Sequence, residues 1–172
     1  MTLAALMTGI LLLPGGDRVA RRPTAGVARP AATGISLYVV TPANVTFATA
    51  NPSTTPAVAG SSAVTIFFVL SGGSSARTWN IQLKSSTNTF AGCTTVPVSA
   101  ITATCGSVAG GTGGACASPF AMSPGGAQLA TGSESDGLGV YLVTINFSLS
   151  DEWKYLPALC TPQTFDYILT AN

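Results

Sequence analysis

From residue 35 onward, apolar and polar residues alternate with a period of two, the spacing of strands with one face in a core and one in water. Ile35, Leu37 and Val39 alternate with Ser36, Tyr38 and Val40 until Pro42 ends the run, and Val45 and Phe47 make a short second strand closed by Asn51-Pro52. Val64 to Leu70 is the most apolar stretch, with Ile66, Phe68 and Leu70 on one face and Thr65, Phe67 and Val69 on the other. It predicts a central strand buried on both sides. Trp79, Ile81 and Leu83 alternate cleanly with Asn80, Gln82 and Lys84. Tyr141, Val143, Ile145, Phe147 and Leu149 define a long strand, and Phe165, Tyr167 and Leu169 a final one. Weaker strands are expected within 96–105, interrupted at Pro97, and over Ala127–Thr131. Gly110 to Gly114 reads as a flexible loop. No stretch longer than a turn has helical spacing, although Ser150 would cap one turn through Asp151–Lys154.

Short strands separated by Gly, Pro and Ser turns predict an all-β fold, an Ig-like or jelly-roll-like sandwich over 34–172 with an N-terminal extension. The immunoglobulin order Cys…Trp…Cys is missing because Trp79 precedes every cysteine, so the likeness is architectural. Within the extension, Leu3 to Leu13 is an apolar run ended by Pro14-Gly15-Gly16. It falls short of the roughly 20 residues of a spanning helix, so no stable membrane span is expected. Residues 1–16 read either as a signal peptide or as a retained segment buried against another subunit. No Lys or Arg precedes the run, which counts against the first reading. Residues 17–33, rich in Arg, Pro and Ala without a period, read as a linker.

Composition narrows the function. Charged residues are 8% of the 172, against roughly 25% in an ordinary soluble domain, so Ser and Thr supply the wet faces. Arg18, Arg21, Arg22 and Arg29 lie in the linker; beyond it Arg77, Lys84 and Lys154 face Glu134, Asp136, Asp151, Glu152 and Asp166. A slightly acidic domain with scattered cations cannot neutralise a run of phosphates, and nucleic acid is excluded as a partner. The chain has no histidine, which removes the usual general base, the Ser-His-Asp arrangement and the commonest metal ligand. The expectation is no enzyme, no cofactor and no metal. Glu134/Asp136 and Asp151/Glu152 are the only carboxylate pairs suited to glycoside hydrolysis. The first pair flanks a Gly/Ser turn and reads as a solvated loop. Gly110–Gly114 lacks the Lys and the following helix of a phosphate loop.

Four cysteines, Cys93, Cys105, Cys116 and Cys160, with an export-like start read as two disulfides. Three connectivities are open. Cys93–Cys105, closing a Thr/Val-rich hairpin, with Cys116–Cys160 is the favoured one. Trp79 lies on an apolar strand face and belongs to the core. Trp153, beside Tyr155 in a charged turn, is the candidate exposed aromatic, and the two form a candidate glycan-binding pair. Asn44-Val45-Thr46 and Asn146-Phe147-Ser148 match the glycosylation triplet, making Asn44 and Asn146 candidate modification sites.

An export-like start, a linker, the alternating strand at Ile35–Val40 and a hydroxyl-rich two-disulfide domain together resemble the small secreted β-sandwich subunits of bacterial surface fibres, pilin-like proteins assembled by strand donation. The resemblance implies an extracellular, cell-surface structural subunit that joins copies of itself into a helical filament. An extended segment of one subunit would add to an open sheet edge of the next, and head-to-tail contacts that do not close make a fibre. Ile35, Leu37 and Val39 would then be the donor side chains, with residues 18–33 as the reach. The alternative is that Ile35–Val40 is simply the first strand of its own sandwich. The alternative function is a monomeric secreted carbohydrate-binding or adhesion module using Trp153 and Tyr155.

Overall fold

The structure, a computed structural model, describes residues 3–7, 34–71, 76–135, 137–153, 155, 160 and 162–171. Fourteen strands follow one another: β1 (Leu3–Met7), β2 (Gly34–Thr41), β3 (Asn44–Phe47), β4 (Ala57–Ala59), β5 (Val64–Ser71), β6 (Arg77–Ser85), β7 (Thr89–Phe90), β8 (Cys93–Pro97), β9 (Ile101–Ala109), β10 (Thr112–Cys116), β11 (Phe120–Ala121), β12 (Ala127–Glu134), β13 (Gly139–Ser150) and β14 (Gln163–Ala171). One sheet has the order β10-β12-β6-β14-β1-β3. The facing sheet runs β11-β9-β13-β5-β2, with β4 also on β13. Every pairing is antiparallel except β1 on β14. The chain is thus all-β and sandwich-like.

Alternation in sequence becomes burial directly. In β13, Tyr141, Val143, Ile145, Phe147 and Leu149 are buried while Val140, Leu142 and Asn146 face water. Trp79, Ile81 and Leu83 of β6 and Phe165, Tyr167 and Leu169 of β14 meet them from the other sheet. Aromatic rings bridge the two layers. Trp79 sets its edge against Phe68 at 5.1 Å and Tyr141 at 4.9 Å, and Phe147 stacks on Phe165 at 5.8 Å. Each such pair contributes about 0.5–1.5 kcal/mol beyond its buried area. Close packing of the Trp79 ring requires Gly132, where a Cβ would run into the indole.

Several expectations from the pattern are corrected. β5 is not buried on both sides: Val64, Ile66, Phe68 and Leu70 are fully inside, but Thr65, Phe67 and Val69 are only half-buried. The outer face of its sheet carries no covering layer among the described residues, so hydrophobic composition alone overstated the burial. Gly110–Gly114 is not one flexible loop. The chain turns at Gly110 and Gly111, both at positive φ, and Thr112 already begins β10. Glycine suits this strand because a Cβ at Gly114 would collide with Val108.

The disulfides are Cys93–Cys160 and Cys105–Cys116, not the favoured Cys93–Cys105 and Cys116–Cys160. The reason is topological. Residues 93–105 do not fold as a hairpin, because a 3-10 turn at Val98–Ala100 separates β8, which pairs with β7, from β9, which pairs with β13. β9 then turns directly into β10 in the opposite sheet, so Cys105–Cys116 pins the corner where the chain changes layer. Cys93–Cys160 ties the small β7–β8 hairpin to the segment leading into β14.

Two stability measurements follow. Non-reducing digestion should yield cross-linked peptides joining Cys93 to Cys160 and Cys105 to Cys116. By loop-closure entropy, replacing the first pair, separated by 67 residues, should lower the urea-unfolding free energy by about 4 kcal/mol. The second pair, separated by 11, should be worth about 3 kcal/mol. Tyr167 is 2% exposed, and burial raises its hydroxyl pKa above the usual 10.0. Below that value both folded and unfolded chains keep the proton. Above it the unfolded chain releases a proton that the folded one retains, so stability must fall with rising pH. The urea midpoint should therefore be flat up to about pH 9 and decline above about pH 10, and Tyr167→Phe should shallow the decline.

Candidate functional site

Two places stand out: the slot occupied by β1 and a cleft at one end of the sandwich. In the slot, β1 lies between β3 and β14. Leu3, Ala4, Ala5 and Leu6 stand opposite Phe47, Thr46, Val45 and Asn44 on one side. Ala5, Leu6 and Met7 stand opposite Gln163, Thr164 and Phe165 on the other. Among the described residues no other strand joins β3 to β14. Without β1 both would present unpaired backbone edges, beside buried Val45, Phe47 and Phe165.

The segment singled out from sequence as a donor is placed differently. β2 pairs with β5 of its own chain over its whole length, the arrangement expected where Ile35, Leu37 and Val39 belong to the first strand of their own sandwich. A bulge between Leu37 and Val39 also breaks their common phase. Ile35 and Leu37 stand opposite inward-facing Leu70 and Phe68, but Val39 stands opposite half-buried Phe67. Among the residues of this strand whose side chains are described, Ile35 and Val40 pack on the core. The linker at 17–33 lies outside the described residues.

The cleft is built by two segments distant in sequence. After β3, Asn51 starts a turn: its side-chain oxygen accepts from the Ser53 amide at 3.0 Å, and its carbonyl accepts from the amides of Thr54 and Thr55. This is the local bonding that favours Asn in turns. After β13, the Asp151 amide donates to the Pro56 carbonyl at 2.9 Å, and the Tyr155 amide donates to Glu152, closing a turn. Trp153 Nε1 donates to Ser53 Oγ at 3.2 Å, joining the two segments. Between them lies a cavity of about 200 Å³. Phe47 and Leu149 form its floor, Ala50 and Pro52 one wall, and Asp151, Glu152, Trp153 and Tyr155 the other.

Of the candidate glycan pair, Trp153 is 70% exposed, whereas Tyr155 is buried. The Tyr155 hydroxyl donates to Glu152 Oε1 at 3.4 Å, so it acts as wall and carboxylate anchor. Sequence reasoning missed Phe47, Thr49, Pro52 and Leu149. Phe47 and Leu149 read as ordinary core positions, and the only local signal for the rest was the turn cluster 51–56. Asn44 and Asn146 are both exposed. A Cβ at Gly106 would crowd the Asn146 amide at 2.8 Å.

Of the other carboxylate pair, Glu134 does not lie in a solvated loop. Glu134 is 7% exposed; its Oε2 accepts from the Tyr141 hydroxyl at 2.8 Å and its Oε1 from the Ser135 amide at 3.1 Å. Arg77 stands opposite Glu134 in the strand register and donates to the carbonyls of Ser71 and Gly137. Burial first, then the bond to Glu134, raises the Tyr141 hydroxyl pKa. Asp136 lies outside the described residues. Among the described residues no cluster of three metal-ligating side chains occurs, and no helix is long and apolar enough to cross a membrane.

Compared with known proteins, the chain matches no family model, and no characterised protein or solved structure is significantly similar to it. The buried pair is directly testable. Tyr141→Phe leaves a buried carboxylate oxygen without its hydroxyl donor and should cost about 1–3 kcal/mol in urea unfolding. Glu134→Gln, whose amide can still accept that bond, should cost less.

Proposed function

We propose that this chain is a structural subunit of an extracellular filament, assembled by β-strand contacts in which Leu3–Met7 of one subunit fills the slot between β3 and β14 of the next. The supporting observation is that β1, alone among the described strands, completes a sheet from beyond a connection as long as 8–33. The stretch 8–33 has a reach of up to about 90 Å when extended, more than enough to deliver the strand to its own sheet or to a neighbour's. The slot needs an occupant for its backbone groups, and main-chain pairing along two edges is a recognised mode of subunit joining. A strand given to the next subunit, which gives its own onward, is a head-to-tail contact and propagates. Two disulfides fit an oxidising, extracellular setting, where a low-charge, hydroxyl-rich surface is no handicap.

The test mixes ¹⁴N- and ¹⁵N-labelled full-length chains that have been unfolded and refolded together. Electron microscopy should show filaments, and cross-links between β1 and β14 should join light to heavy peptides. Ala5→Pro removes an amide from the middle of β1 and should leave monomers with an exposed slot. Discrete monomers at millimolar concentration, with cross-links only within one isotope, would overturn the proposal.

A further inference from the structure

We infer that the cleft at Trp153 is a carbohydrate-binding site that takes one uncharged pyranose ring. The inference is independent of the filament reading, since none of its wall residues belongs to β1. An indole left 70% in water forgoes the burial that large aromatics ordinarily obtain. Here it does so in a fixed position, tied by its Nε1 to Ser53. A rigid, exposed aromatic plate over an apolar floor suits a ligand with one flat C–H face.

The rim specifies the rest. Asp151 and Glu152 supply carboxylate acceptors, and Thr49 adds a hydroxyl. Tyr155 steadies Glu152 from behind. The charged groups among the described lining residues are the carboxylates of Asp151 and Glu152, which accept from hydroxyl donors and repel an anion. Uronic and sialic acids are thereby disfavoured, and neutral hydroxyl-rich rings fit. At about 200 Å³ the cleft is smaller than the roughly 300–1,000 Å³ that engulfs a drug-sized ligand. One ring fits, with the remainder of a glycan outside.

Both walls are backbone-anchored, by Asp151 to Pro56 and by the bonded turn at Asn51, so the site is preformed. Little ordering entropy then opposes binding. The floor residues are the last of β3, Phe47, and the last but one of β13, Leu149, which places the site at the tip of the sandwich.

The experiment is a panel of immobilised neutral, acidic and amino oligosaccharides probed with the full chain, followed by calorimetric titration of the best neutral hit. Neutral glycans should be retained. Trp153→Ala should weaken binding by about tenfold or more, as for a central aromatic anchor, while leaving the melting temperature unchanged. Trp153→Phe should recover part of the loss, and Asp151→Asn should shift the ranking among neutral sugars. Tetramethylammonium chloride serves as the competing cationic probe. Retention of no neutral glycan, retention undiminished in Trp153→Ala, or displacement of the sugar by millimolar tetramethylammonium would each overturn the inference. Trp153→Ala leaves the β1 pairings on β3 and β14 untouched and should still assemble, so failure of filament assembly and failure of this site read out separately.

Discussion

One constraint organises this sandwich: the backbone groups of β14 and β3 face each other across a gap one strand wide, and β1 must satisfy both. β3 has four residues, too few to hold its place through a single weak edge. It is kept there by β1 on one side and by local bonds in which the Thr46 amide donates to Ser61 Oγ and the Ser61 amide donates to the Thr46 carbonyl. Phe47, the last residue of β3, stands opposite Leu3 at the end of that ladder and also floors the cleft. Main-chain pairing in the slot and the shape of the cleft are therefore mechanically adjacent.

The rest of the molecule compensates for a sequence in which charged residues are only 8%. Its layers are locked by interdigitated aromatics and by two covalent ties at places where the chain changes layer or leaves a small hairpin. The buried acid among the described residues, Glu134, has both oxygens accepting hydrogen bonds and an arginine across the strand pair. Leaving such an acid without its donors would be far costlier than the net gain of making the bonds. The Tyr141 ring that donates to it also stacks on Phe68 at 5.0 Å, so the polar cluster and the aromatic core share one side chain.

How much was legible depended on whether a feature was local. The alternation in Trp79–Leu83, Tyr141–Leu149 and Phe165–Leu169 reports burial within each strand and translates directly into the core. Partner choice between strands is not local. Cys93 and Cys105 sit in one Thr/Val-rich stretch, yet Val98–Ala100 sends their strands to different partners, and no spacing rule contains that. The bulge at Leu37–Val39 is invisible for the same reason, since it exists only relative to β5. The cleft was half legible. Trp153 announced itself as an aromatic in a charged turn, whereas the Ser53 that holds it lies 100 residues away. Glu134 misled because a carboxylate beside Ser and Gly looks solvated until a tyrosine from another strand is set against it.

The same distinction explains why β1, rather than β2, is the strand proposed as donor. β2 runs into β3 through a two-residue turn and lies flat on β5, with Ile35 and Val40 in the core. For such a strand the effective concentration of its own sheet far exceeds that of any neighbour, so exchange has nothing to gain. β1 is different because the stretch 8–33 separates it from the rest of the chain. The effective concentration of a tethered strand at its own slot falls with tether length, to the millimolar range for flexible linkers. Subunits held side by side on a surface meet at comparable concentrations. Intramolecular and intermolecular filling of the slot then make the same hydrogen bonds at nearly the same free energy, and the balance passes to whatever strains the tether or crowds the subunits.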